Sequence, residues 1–134
     1  VEADILHKGE GERVIAIGER AERVRVEALA NFATIFRSST RQVDLMELLA
    51  YLYMKEVRTL MVEGGGTIIS AFFAADLVDE LLVFVGNMII GGRDAPTLSD
   101  GQGFIDPATF PRLKLVGHEP VDDGVLLRWV VNRS

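Results

Sequence analysis

The chain has 134 residues, 49% of them apolar, with 20 acidic against 14 basic side chains and no cysteine. That length suits one domain with a genuine core, and moderate charge with only four prolines argues against disorder. A net charge near −6 without any Lys/Arg cluster sets nucleic-acid partners aside, and the lack of cysteine excludes disulfides and Cys-ligated metal.

From the N-terminus, Val1 to Leu6 carries neither a basic leader nor a long apolar core, so it does not read as a signal peptide. Arg13 to Gly18 is a short apolar run bounded by glycine, the pattern of a buried parallel strand. Val24, Ala28 and Leu29 then fall at helical spacing among Glu and Arg, predicting an amphipathic helix over Arg20 to Ala30. Ala33 to Phe36 is a second strand, followed by a polar loop from Arg37 to Gln42. Asp44 is a good N-cap, and Glu47 three residues on completes a pair resembling a capping box. The helix behind it, Leu45 to Glu56, places Leu45, Leu48, Leu49 and Leu52 on one stripe.

Val57 to Val62 reads as the next strand, and a helix follows from Thr67 to Ala75. Leu81 to Val85 is a further strand after the acidic corner at Asp76 to Glu80. The longest apolar stretch, Leu81 to Ile90, is interrupted by Gly86 and Asn87 and is too short to span a bilayer as a helix. Gly91-Gly92 is a flexible turn, and Asp94 to Pro111 a long loop rich in Gly and Pro. Leu113 to Glu119 and Val125 to Val131 finish the chain as two strands around a turn at Asp122-Asp123-Gly124, a hairpin signal. Alternating strands and helices, then strands alone, predict an α/β fold: a mixed sheet flanked by helices, with an antiparallel pair at its end.

Between the third strand and third helix lies Glu63-Gly64-Gly65-Gly66-Thr67. Glycine allows positive φ and lets a ligand approach the main chain without meeting a Cβ. A glycine-rich turn feeding a helix N-terminus offers unpaired N–H groups and the positive end of the helix dipole, which together hold a phosphate. The segment is neither a Walker A loop nor a G-x-G-x-x-G fingerprint, and a close strand-to-helix crossover is the competing structural reading. Thr67 either caps the helix or also gives its hydroxyl to the anion. Glu63, at the carboxyl end of the expected strand, either meets a polar ligand group or accepts hydrogen bonds from the glycine-loop amides.

Other candidates carry less. His7 and His118 form no metal spacing, Asp79-Glu80 face opposite ways on a strand, and Asp94, Asp100 and Asp106 lack a calcium-loop pattern, so no metal site is expected. No catalytic acid or base stands out, which favours chemistry carried by a cofactor.

Taken in order, Val43-Asp44-Leu45, Leu48-Leu49, Leu60 to Thr67, Leu77 to Glu80, Ile90-Gly91-Gly92 and Ala95-Pro96-Thr97 resemble the pyrimidine reductases of riboflavin biosynthesis. The likeness extends to the archaeal 2,5-diamino-6-ribosylamino-4(3H)-pyrimidinone 5′-phosphate reductases and to the C-terminal reductase half of the bacterial bifunctional deaminase-reductase. It runs through most of the chain and is densest from Val43 to Phe104. The resemblance implies a dihydrofolate-reductase-like fold, NADPH as cofactor, a homodimer, a cytoplasmic location and reduction of a ribosylamino side chain to a ribitylamino one. It assigns Gly64, Gly65, Gly66, Thr67 and Val43 to the cofactor and Glu63 to the phosphorylated pyrimidine substrate, with no membrane or nucleic-acid partner.

Family members are longer at the N-terminus, so residues 1–134 read as one reductase-like domain, the C-terminal part of a longer family domain without its N-terminal strands. Many members also carry proline where this chain has Asn87. Two other readings stay open: a dihydrofolate-reductase-like enzyme acting on another heterocycle, and a non-catalytic nucleotide-binding or dimerising module. Ser38, Ser39, Thr40 and Arg41 form the one cluster of hydroxyls with a basic residue that follows a strand; the loop reads first as a solvated connection between strand and helix, and as its alternative a contact to the adenosine ribose of the cofactor.

Overall fold

The computed structural model describes residues 2–101 and 103–133; Val1, at the head of the segment that does not read as a leader, lies outside the described residues. The chain divides into two compact units, Val1–Leu60 and Met61–Ser134.

In the first unit, β1 (Val14–Ile17) and β2 (Thr34–Arg37) pair in parallel, Val14 opposite Thr34 and Ile17 opposite Arg37. The crossover between them is α1 (Arg23–Ala30). This helix starts three residues later than its apolar spacing predicts. The reason is local: the Arg37 guanidinium donates to the Gly18 and Glu19 carbonyls (3.4 and 2.9 Å), and Glu19 N–H donates to Thr40 O at 2.7 Å. Those groups would otherwise join the first helical turn.

α2 (Leu45–Met54) begins as expected, with Asp44 Oδ1 accepting from Glu47 N–H at 3.0 Å. Its stripe of Leu45, Leu48, Leu49 and Leu52 is half-buried. The helix stops two residues short of Glu56, which takes φ +66. Glu56 N–H then donates to Tyr53 O and Val57 N–H to Leu52 O, both at 3.0 Å, the bond pattern of a Schellman motif.

The second unit opens with α3 (Gly66–Ala74), which ends the same way. Asp76 adopts φ +55, Asp76 N–H donates to Phe73 O and Leu77 N–H to Phe72 O. β3 (Glu80–Val85), β4 (Leu113–Val121) and β5 (Gly124–Val131) form an antiparallel sheet in the order β3-β5-β4. Trp129 lies between Leu81 and Leu115 in the register, and the β4 ladder shifts between Leu115 and Gly117. On the alternate face, Arg128 grips Glu80 with both forks (2.7 and 2.8 Å). Near the end of the chain, Arg133 bonds the Asp79 carboxylate at 2.8 Å and the Asp76 and Val78 carbonyls.

The mixed α/β class stands, with one change in its interior. The parallel and antiparallel ladders form two sheets, because the expected strand Val57 to Val62 is irregular and pairs with no described residue. An apolar run makes a strand only where a partner supplies the ladder hydrogen bonds. Here Leu60 and Met61 remain 44% and 72% exposed.

Candidate functional site

Glu63, Gly64, Gly65, Gly66 and Thr67 lie together in the second unit, where irregular chain turns into α3. Of the uses set out for the glycines, the structure shows close packing and no positive φ. None of the three has positive φ, and Gly65, the N-cap, sits at φ −66. What they provide is close approach. A Cβ on Gly64 would strike the Ile68 side chain, and one on Gly66 would lie 2.6 Å from the Asp100 carboxyl carbon and 2.7 Å from its backbone nitrogen. A Cβ on Gly65 would meet nothing within 4 Å. Gly66 is therefore a packing glycine, while Gly65 borders open space.

The N–H groups of Gly64, Gly65, Gly66 and Thr67 find no acceptor among the described residues; the first helical donors that do are Ile68 and Ile69, both to Gly65 O. Four such donors at the positive end of a helix, beside a glycine with room above its Cα, fit the phosphates of a dinucleotide. Thr67 does not cap the helix: it is the second helical residue, after the N-cap Gly65 and Gly66, and no side chain closes this end. The capping reading of its hydroxyl is thereby excluded. Glu63 does not follow a strand, since Val57 to Val62 forms none, and its exposed carboxylate accepts no bond from the glycine amides. Asp100, missed as a neighbour of the loop, is held by a Thr97 hydroxyl bond and lies against Gly66.

Val43 is in the first unit, half-buried, two residues ahead of α2. Beside it stands a polar cluster in which the sequence indicated the members but not their arrangement. Glu47 does not reach back to the Asp44 amide as a capping box would have it. Its carboxylate instead accepts from Ser38 Oγ (2.6 Å), from Ser39 N–H (2.9 Å) and from Ser39 Oγ. Asp44 N–H donates to Ser38 Oγ at 3.0 Å, and Ser38 is 1% exposed. The Ser38 bond foremost, with those from Ser39, holds the Glu47 carboxyl below the ordinary carboxylate range. A serine six residues before an Asp-x-x-Glu helix start was the available signal.

The remaining candidates have local partners. Asp79 and Glu80 bind Arg133 and Arg128, as a structural role requires. Asp106 caps a short 3₁₀ turn at Pro107–Thr109, and His7 packs edge-on against Phe32 with ring centroids 5.0 Å apart. Among the described residues no helix is long and apolar enough to cross a membrane.

Comparison with known proteins places these features in context. Residues 1–127 match the family described as RibD C-terminal domain. The chain is 36% identical over 108 residues to the 2,5-diamino-6-ribosylamino-4(3H)-pyrimidinone 5′-phosphate reductase of Archaeoglobus fulgidus, covering 81% of this chain and 49% of that protein. It is 37% identical over 122 residues to the reductase of the same name from Methanothermobacter thermautotrophicus, covering 91% of this chain and 56% of the relative. The chain thus spans about half the length of the relatives it matches. In three dimensions it resembles a pyrimidine reductase-like protein from Corynebacterium diphtheriae, with a TM-score of 0.75 at 17% identity over 90% of this chain and 50% of that one. This last likeness concerns the fold.

Proposed function

The chain belongs to the RibD C-terminal domain family, and from that premise we propose that it is the cofactor-holding part of an NADPH-dependent pyrimidine reductase of riboflavin biosynthesis. The observation that carries the reading is the row of N–H groups from Gly64 to Thr67 at the start of α3. When bound, NADPH supplies the hydride. The chain's own part is to hold, orient and shield. The Gly64, Gly65 and Gly66 amides and the Thr67 hydroxyl take the phosphates, Val43 packs against the cofactor, and Glu63 accepts hydrogen bonds from the substrate. Orientation of this kind lowers the barrier because the reacting groups no longer search for each other.

The substrate in this reading is 2,5-diamino-6-ribosylamino-4(3H)-pyrimidinone 5′-phosphate, named for the relatives, or its deaminated form. Its ribosylamino side chain becomes ribitylamino. Residues 1–134 serve as one reductase domain, the C-terminal part of a longer one, working as a homodimer in the cytoplasm. The test is NADPH oxidation by the intact protein, offered the pyrimidinone phosphate, its deaminated form and a pterin panel. Turnover confined to the ribosylamino pyrimidines is the expected result. No turnover of either by the intact protein removes the assignment, and turnover of a pterin alone moves the enzyme to another substrate.

A further inference from the structure

α3 opens without the usual protection of a helix start. Its N-cap is Gly65, no side chain closes the end, and its first turn holds no acidic residue. α2 differs on each count, with Asp44 as a bonded cap and Glu47 in the first turn. The positive end of a helix dipole favours a negative group beside it. At α3 that group comes from a loop 34 residues on from Gly66.

Three atoms of Asp100 crowd the point where a Gly66 Cβ would stand: Oδ2 at 2.5 Å, Cγ at 2.6 Å and the backbone nitrogen at 2.7 Å. Gly66 is buried, whereas Gly64, Gly65 and Thr67 remain exposed. Asp100 thus covers the first helical residue and leaves the loop before it open. Its two carboxylate oxygens are used unequally. Oδ1 accepts from the Thr97 hydroxyl. Oδ2, against Gly66, accepts no hydrogen bond among the described residues, not even from the idle amides of Gly64 to Thr67. A carboxylate set at a helix start without bonding it acts there by charge alone.

The turn that carries Asp100 is seated along one face of α3. Gly101 takes φ +115, and a Cβ on it would lie 3.5 Å from Ser70 Oγ. Gly66 and Ser70 stand four residues apart, neighbours on the helix surface. Apolar burial gives the turn little hold, since Leu98 is 50% exposed. A segment with few buried contacts opens at low cost.

We propose that Asp100 is an internal stand-in for the cofactor's phosphate. In the free protein its carboxylate neutralises the start of α3, and an arriving phosphate works against it or pushes the Thr97–Gly101 turn aside. On the NADPH reading above, the turn is a charge gate on the glycine loop, with the Thr97 hydroxyl as its catch. Phosphate is then held more weakly than the loop amides alone would hold it.

The intact protein is titrated with NADPH and, separately, with inorganic pyrophosphate, beside ligand-free melts. Asp100→Asn keeps the shape and the acceptor for Thr97 but drops the charge. It is expected to bind both ligands about fivefold more tightly, the worth of one unit charge at contact distance in a watery setting. Asp100→Ala should gain as much. The gain should shrink as salt rises, because screening removes what the charge contributed. Without ligand, Asp100→Asn should melt no higher than wild type, since the start of α3 has lost its negative neighbour. A turn that merely packs on the helix predicts lower melts with unchanged or weaker binding, and that result overturns the proposal. So does a gain that ignores salt. If wild type and variant both fail to bind NADPH, the cofactor reading falls; the gate falls with it only when Asp100→Asn also holds pyrophosphate no more tightly than wild type does.

Discussion

Two neighbouring glycines separate packing from ligand contact. A methyl group on Gly66 has to displace the Asp100 backbone, whereas one on Gly65 meets open space at an ordinary φ of −66. Gly66→Ala should therefore cost about 1–3 kcal/mol in a thermal or denaturant melt, the usual range for overpacking. Gly65→Ala should melt like wild type yet bind NADPH at least about tenfold more weakly, since the new Cβ enters the space above the loop amides. A Gly65→Ala protein with unchanged NADPH affinity would take the cofactor from this loop. Glu47 offers a second measurement at this scale. Its folded-state carboxyl is depressed below the ordinary value of 4.5, so its stabilising effect is complete above that value and is lost as pH falls through the depressed one. The melting difference between wild type and Glu47→Gln should be flat at neutral pH and shrink on acidification below 4.5. A difference that grows on acidification would contradict the hydrogen-bonded carboxylate. The glycine run was legible as a site candidate because its composition is unusual. Its partner Asp100, 34 residues on from Gly66, was not, since nothing local marks which loop will lie on a glycine.

At the level of elements, β1, β2, α2 and the β4–β5 hairpin could be read from apolar period, caps and turn residues, with ends off by a few residues. The hairpin is instructive. The turn itself is Asp122-Asp123, with Asp122 at φ +50, and Gly124 already belongs to β5. Gly124 is glycine because the Phe84 ring and the Val85 carbonyl lie where its Cβ would be, the latter at 2.7 Å. The Asp-Gly signal thus gave the right hairpin for a reason one residue out of place. Gly124→Ala should loosen the join of β5 to β3 and lower the melting temperature, while Asp122→Gly, which relieves a positive φ, should leave it equal or higher. The reverse order of effects would return the glycine to the turn. Both Schellman endings escaped notice because Glu56 and Asp76 stand where glycine is the usual marker. Val57 to Val62 failed as a strand for a different reason: residue type encodes a preference for extended chain, but the ladder partner is a property of the whole fold.

Across the whole molecule, Phe72 is the only apolar side chain among the described residues that is buried, at 6% exposure, while Ile89 is 100% and Ile105 91% exposed. Composition alone, with 49% apolar residues, had promised a core of ordinary size. It could not say how much of that apolar surface this chain covers by itself, because burial depends on which elements face one another. The stretch from Val57 to Glu63 makes this concrete, since it joins α2 to the glycine loop without entering a ladder. A protease must draw several residues of backbone into its cleft, and chain free of ladder bonds yields most readily. Arg58 stands within the stretch, its guanidinium bonded to Tyr53 O and resting 4.2 Å from the Tyr53 ring centre, a hold that frays with the helix end. Brief trypsin treatment should cut after Arg58 before Arg25 or Arg128, which lie inside regular elements, and bound NADPH should slow that cut by ordering Glu63 to Gly66 just beyond it. The same stretch that failed to become a strand then reports on ligand occupancy through the pattern of peptides it releases.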